Sequence, residues 1–174
     1  MSKVLIVLIV VLNFVNANDN NLTRESQFPP LFMPDNNLSF EKIEGFENYQ
    51  VVATHFRKDK NELRYILANS IGYNALRKKI KPMPEGSIIV KIGWSVKEMS
   101  TFSTALEADE IQRVEYMIKD SKRFDHKGDN WGYARFVKKE SEYVAWDKGT
   151  MSCISCHQAV KEDDYLFTRF QERF

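Results

Sequence analysis

Cys153-Ile154-Ser155-Cys156-His157 gathers two thiols and one imidazole within five residues. On a helix, positions 153, 156 and 157 fall at i, i+3 and i+4 and share one face. That face can form two thioether bonds to a haem and supply one axial nitrogen to its iron. The motif therefore reads as the attachment site of one covalent haem c, with His157 as the iron ligand. A structural zinc site would need two further Cys or His ligands, whereas His55 and His126 stand isolated, without metal-type spacing. A thioredoxin-like dithiol follows the first strand of a βαβ unit; this pair lies near the end of a chain without that pattern.

One haem leaves the opposite axial position of the iron to be decided. A Met or His there favours electron transfer, and an open position admits small molecules. Met83, Met99, Met117 and His55 are all candidates, and spacing selects none of them.

At the N-terminus, Lys3, the apolar run 4–12 and Val15-Asn16-Ala17 read as a secretion signal over residues 1–17, cleaved near Ala17 for a periplasmic protein. The run is shorter than the roughly 20 apolar residues that a membrane anchor needs. Of the 25 Lys and Arg residues one is Lys3, which leaves 24 against 24 acids in the mature chain. The charges are interleaved, and this balance excludes a nucleic-acid-binding surface. With only two cysteines, three positions apart, no disulfide scaffold can bridge distant segments.

The elements that must position the motif follow from local pattern. Residues 18–45, interrupted by Pro29, Pro30 and Pro34, read as a surface arm with Phe28, Leu31 and Phe32 as anchors. Residues 46–174 then form the haem domain. Within it, 49–56, 63–68, 87–94, 113–118 and 131–137 are short β-branched and aromatic runs bounded by polar or Gly and Pro punctuation, the mark of strands. Ile71, Ala75 and Leu76 have helical spacing over 71–79, with Ser70 as N-cap. From Thr150 a helix carries the cysteines and an aromatic tail follows. The class is α+β: a largely antiparallel sheet with a few helices.

Four segments resemble the cytochrome P-460 family, which includes the β-type cytochromes c′. They are Asn61-Glu62-Leu63-Arg64 with Ala68-Asn69; Pro84 to Lys91; Val114 to Ser121 leading to Asn130-Trp131-Gly132-Tyr133; and Cys153 to His157 followed by Asp164 to Phe170. The resemblance implies an antiparallel β fold, a homodimer and a five-coordinate haem c. Enzymatic members oxidise hydroxylamine to nitric or nitrous oxide and bond a lysine to the haem edge. Lys91 stands at the matching position, Glu115 matches a distal carboxylate implicated in proton transfer, and Arg64 matches a haem-pocket arginine. In place of the long glycine-rich segment of those enzymes, the span 94–113 reads Thr, Ser, Glu and Asp.

Two functions are thereby expected. One is an oxidoreductase acting on a small nitrogen species and handing electrons to a small cytochrome. The other is a carrier for a diatomic gas, or an electron shuttle, with Phe56, Phe124, Tyr65 and Trp94 as candidate pocket walls.

Overall fold

A computed structural model describes residues 30–125 and 129–173; the segment 1–17 expected to be a secretion signal, Phe28 and His126 lie outside them. Six strands pair in sequence order into one antiparallel sheet: β1 (Gln50–Arg57), β2 (Glu62–Ala68), β3 (Ile88–Met99), β4 (Phe102–Lys119), β5 (Trp131–Lys139) and β6 (Glu142–Ala145). Two short helices, α1 (Ser70–Arg77) and α2 (Met151–His157), complete the α+β arrangement. Cys153 and Cys156 lie on α2.

Successive side chains of a strand point to opposite faces, so the sheet has two distinct surfaces. On one, Leu67, Val90, Ile92, Val114, Tyr116 and Phe136 pack against Met33, Leu38, Phe40, Ile43 and Phe46. The described part of the segment expected to lie as an arm on the surface, residues 30–45, therefore contributes to the core, with Met33 1% and Ile43 0% exposed. It holds a bridge between Phe32 and Ser39 and a 3-10 turn over Phe40–Ile43, and its prolines do not prevent burial, because an uncovered apolar sheet face would cost more than ordering the segment. Phe32, expected as an anchor, is 48% exposed, whereas Leu31 packs against the cluster.

The other face carries Ile66, Ala68, Ile89, Met117, Trp131 and Tyr133 beneath Ala75 of α1, Ile154 of α2 and Leu166 of the tail. The N-cap of α1 is Asn69, one residue before the expected Ser70. Its Oδ1 accepts the Gly72 N–H at 2.9 Å and the Ile88 N–H at 3.1 Å, so one side chain caps the helix and ties it to β3. The tail closes the β1 edge, where the Gln171 N–H donates to the Val52 carbonyl (3.1 Å) and the Thr54 N–H to Gln171 Oε1 (2.9 Å).

Beyond Trp94 the paired strands β3 and β4 continue as a two-stranded ribbon ending at Met99 and Phe102. Its residues bury no continuous face, so hydrophobic periodicity gave no sign of it. Ladder bonds, a Lys97–Asp109 pair at 3.3 Å and the Glu110 N–H donating to Ser95 Oγ at 3.1 Å hold it. β6 was likewise unforeseen, being only four residues long.

Gly132 of β5 leaves no room for a methyl group, since an added Cβ would come within 2.3 Å of the ring of Phe124, itself 5% exposed. Gly132→Ala is expected to lower stability by roughly 1–3 kcal/mol through overpacking. Urea unfolding checks this; an unchanged midpoint would mean that the Phe124 ring yields freely.

Candidate functional site

The second face opens between β1–β5, α2 and the tail into a cavity of about 640 Å³. That lies within the roughly 300–1,000 Å³ of small-molecule and cofactor pockets. Cys153, Cys156, His157, Lys91, Glu115 and Arg64 all line it, so the structure brings these six residues to one place.

A seven-residue helix does not persist alone. Buried Ile154 anchors α2 from below, and its start is held from the far end of the chain. Asp35 Oδ2 accepts both the Thr150 N–H and the Thr150 Oγ1–H at 2.6 Å, placing a carboxylate at the helix N-terminus.

At the other end of α2, His157 Nδ1 lies 2.5 Å from the Tyr165 carbonyl oxygen. A carbonyl only accepts, so Nδ1 carries the hydrogen and Nε2 keeps the lone pair that a metal needs. The rings of Tyr133 and Phe167 flank the imidazole at 5.0 and 5.1 Å. Burial lowers the His157 pKa, only partly opposed by the Tyr165 carbonyl, which favours the neutral, ligating ring. Burial also raises the Cys153 pKa, so this thiol is not the activated thiolate of a redox dithiol.

Across the sheet, register builds a charged row. Lys91 pairs directly with Glu115 and Glu115 with Arg135 in neighbouring strands. Lys91 Nζ contacts Glu115 Oε2, Arg135 Nε lies 2.5 Å from Oε1, and Arg113 Nε stands 3.7 Å away. Glu62 in turn accepts from Arg64 Nε and from Arg113 Nη2, the latter at 2.6 Å. Gly93 makes this crossing feasible, because a Cβ there would come within 2.9 Å of the Glu62 carboxylate. Burial pushes the Glu115 carboxyl up, but Lys91, Arg135 and Arg113 outweigh it and hold the group at about 2. Burial lowers the Lys91 pKa against the pull of Glu115, and lowers that of His55 with help from Arg64 and Lys91.

The Glu115 shift predicts acid sensitivity. The carboxyl is depressed below its ordinary 4.5, so its ion pairing stabilises the fold fully above about pH 4.5 and is lost as pH falls towards about 2. Denaturant midpoints should therefore drop through that window in the wild-type chain and less in Glu115→Gln. Identical acid profiles would remove Glu115 as the cause.

The cavity fits a haem better than a bare metal ion. Among the described residues no cluster of three or more His, Cys, Asp or Glu is placed to hold an ion. One imidazole and two thiols suit an iron whose remaining ligands come with the cofactor. Arg64 Nη2 and Trp146 Nε1 are buried donors without a partner, and both residues line the cavity, where the carboxylates of a haem could satisfy them.

Sequence reasoning missed Arg135 and Trp146. Strand alternation with Tyr133 could have flagged Arg135; Trp146, stacked by Arg135 at 5.0 Å and Lys148 at 5.7 Å, left no such signal. Among the candidate axial ligands His55 and Met117 line the cavity, Met83 is packed in apolar core and Met99 sits at the ribbon's end. The expected walls are corrected outright. Tyr65, Trp94 and Phe124 pack in the core of the opposite face and Phe56 is 47% exposed, so none lines the cavity. Tyr65 is one residue out of phase with Arg64, which sends it to the other side. Ile66, Ile89, Tyr133, Leu166 and Phe167 form the walls instead.

No curated protein sequence matches the chain. The family model described as cytochrome P-460 matches residues 43–168, which take in all six strands, both helices and the Tyr165 turn beneath His157. By that match over most of its length, the chain belongs to the cytochrome P-460 family, whose haem cofactor the donors of this cavity fit.

Proposed function

We propose that this chain is an exported monohaem c-type cytochrome that oxidises hydroxylamine or a related small nitrogen species and passes the electrons to a small cytochrome. The observation that carries the reading is the shared cavity: thiols and imidazole on α2, with Lys91, Glu115 and Arg135 lining the same space. A haem bound there would supply one-electron redox chemistry and an iron position for the substrate nitrogen.

The chain's own groups would do the rest. Cys153 and Cys156 hold the cofactor through thioethers, His157 Nε2 holds the iron, and Arg64 and Trp146 donate to the cofactor's carboxylates. Ionised Glu115 accepts a hydrogen bond from a substrate N–H or O–H and orients it. As a proton acceptor it is weak while Lys91, Arg135 and Arg113 surround it. A lysine nitrogen bonded to the conjugated haem edge carries no ammonium charge. The Lys91 bond that the family resemblance implies would thus remove one of these cations and strengthen Glu115 as a base. The charged lining suits a polar nitrogen substrate; an apolar gas needs no such groups.

The test uses protein matured by the c-type haem machinery, with mass mapping of the haem peptides, optical spectra with and without carbon monoxide, and hydroxylamine turnover with a one-electron acceptor. A red-shifted ferrous Soret band, Lys91 in the haem-linked peptides and hydroxylamine-dependent reduction support the proposal. An ordinary haem c spectrum that shifts with carbon monoxide, without turnover, would mean a gas binder. No shift at all would mean that His55 or Met117, both in the cavity lining, occupies the sixth position of an electron shuttle.

A further inference from the structure

Lys119 is a buried cation with no part in the chemistry above. It ends β4, is 4% exposed, and lies 5.0 Å over the ring of Trp131. Burying an ammonium is costly unless it is paired and hydrogen-bonded. Here Nζ donates to the Asp129 carbonyl and to Asp164 Oδ1, each at 2.9 Å. The second oxygen of Asp164 accepts the Met83 N–H at 2.7 Å. One carboxylate thus joins the end of β4, the loop before β3 and the chain after α2.

What this junction holds is an unusual turn. Asp164 and the following Tyr165 both adopt left-handed backbone, φ 52° and 64°. Two successive non-glycine residues keep that conformation only where their surroundings enforce it. The Tyr165 N–H returns to the Val160 carbonyl at 3.0 Å, and the Tyr165 carbonyl reaches His157 Nδ1. The second contact of the imidazole traces to the same place. The Tyr133 ring against His157 is tethered through its hydroxyl to Asp129 Oδ2 at 3.3 Å, and Asp129 also accepts the Trp131 N–H at 3.1 Å.

We infer that Lys119 and Asp164 form a positioning clamp for His157, locking the turn that aims the Tyr165 carbonyl so that Nδ1 stays a hydrogen-bond donor and Nε2 is the ligating atom. The inference rests on His157 being the iron ligand. A strong Nδ1–H bond makes the imidazole a better donor to metal, so the clamp acts on the iron through two intervening residues.

The deciding variant is Asp164→Asn, since asparagine tolerates left-handed backbone and can still accept from Met83 but loses the charge that pairs Lys119. Lys119→Met removes the other partner. Asp163→Asn, whose residue pairs with Lys81 and Arg169 at the surface, is the control. In ferrous holoprotein the iron–histidine stretching frequency should fall and the reduction potential should rise in both clamp variants and stay at wild-type values in the control.

A wild-type ferrous haem that is five-coordinate yet shows no iron–histidine band would defeat the haem-ligand reading itself; in a six-coordinate protein the reduction potential carries the comparison. A normal wild-type band that is unchanged in both clamp variants would overturn the clamp alone. Should one clamp variant load no haem, the other decides in loaded protein: a lowered iron–histidine frequency supports the clamp and a wild-type value overturns it.

Discussion

Replacing Cys153 and Cys156 together with alanine is expected to abolish covalent haem, seen as loss of haem staining on a denaturing gel, and to leave a poorly folded chain. The second effect follows from size. Without the cofactor the apolar walls Ile66, Ile89, Tyr133, Leu166 and Phe167 of a cavity of about 640 Å³ are left facing water or must close over one another. A haem-free chain must therefore flood or collapse this space. α2 is least able to resist, having Ile154 as its one buried side chain and the Asp35–Thr150 and His157–Tyr165 bonds at its two ends. Near-UV circular dichroism should flatten, and amide protection should fall in α2 and in the tail beside β1. A fully folded, haem-free chain with sharp near-UV bands would show that the cofactor is not needed for the core.

Glu115→Ala is expected to destabilise the protein by roughly 3–5 kcal/mol, because it leaves Lys91 and Arg135 in a mostly buried site without their counter-ion. The comparison is Glu110→Ala, which breaks a 2.8 Å pair with Lys138 whose carboxylate is 61% exposed. Exposed pairs contribute about 0–1 kcal/mol, so that variant should be nearly silent. Denaturant unfolding of the two loaded variants separates the cases. Equal, small losses would mean that water or the haem carboxylates reach the Lys91–Glu115–Arg135 row and solvate it.

The haem reading needed only local sequence, because the chemistry of Cys153, Cys156 and His157 depends on spacing along one helical face. Most strands were legible for a similar reason. Runs such as 63–68 and 113–118 bury side chains, and burial leaves a periodic apolar trace. The ribbon beyond Trp94 left none, since its stability lies in backbone ladders and polar pairs rather than in a core. The 31–46 segment misled in the opposite sense. Its prolines and polar residues describe the local backbone, and only the assembled sheet shows that Met33, Leu38 and Ile43 cover an apolar face.

The surroundings of the motif were decided by tertiary structure. Register sets Lys91 beside Glu115 and Glu115 beside Arg135, and a one-residue slip of β4 against β3 would have sent Glu115 to the face opposite Lys91. The same rule removed Tyr65 and Trp94 from the cavity and brought Tyr133 into it. The clamp at Lys119 and Asp164 joins residues 45 positions apart. Sequence by itself determined which atoms can hold a haem, because that is a property of a few adjacent side chains. Only the folded chain decided what those atoms face, because charge pairing and the aim of an imidazole depend on contacts between segments distant in sequence.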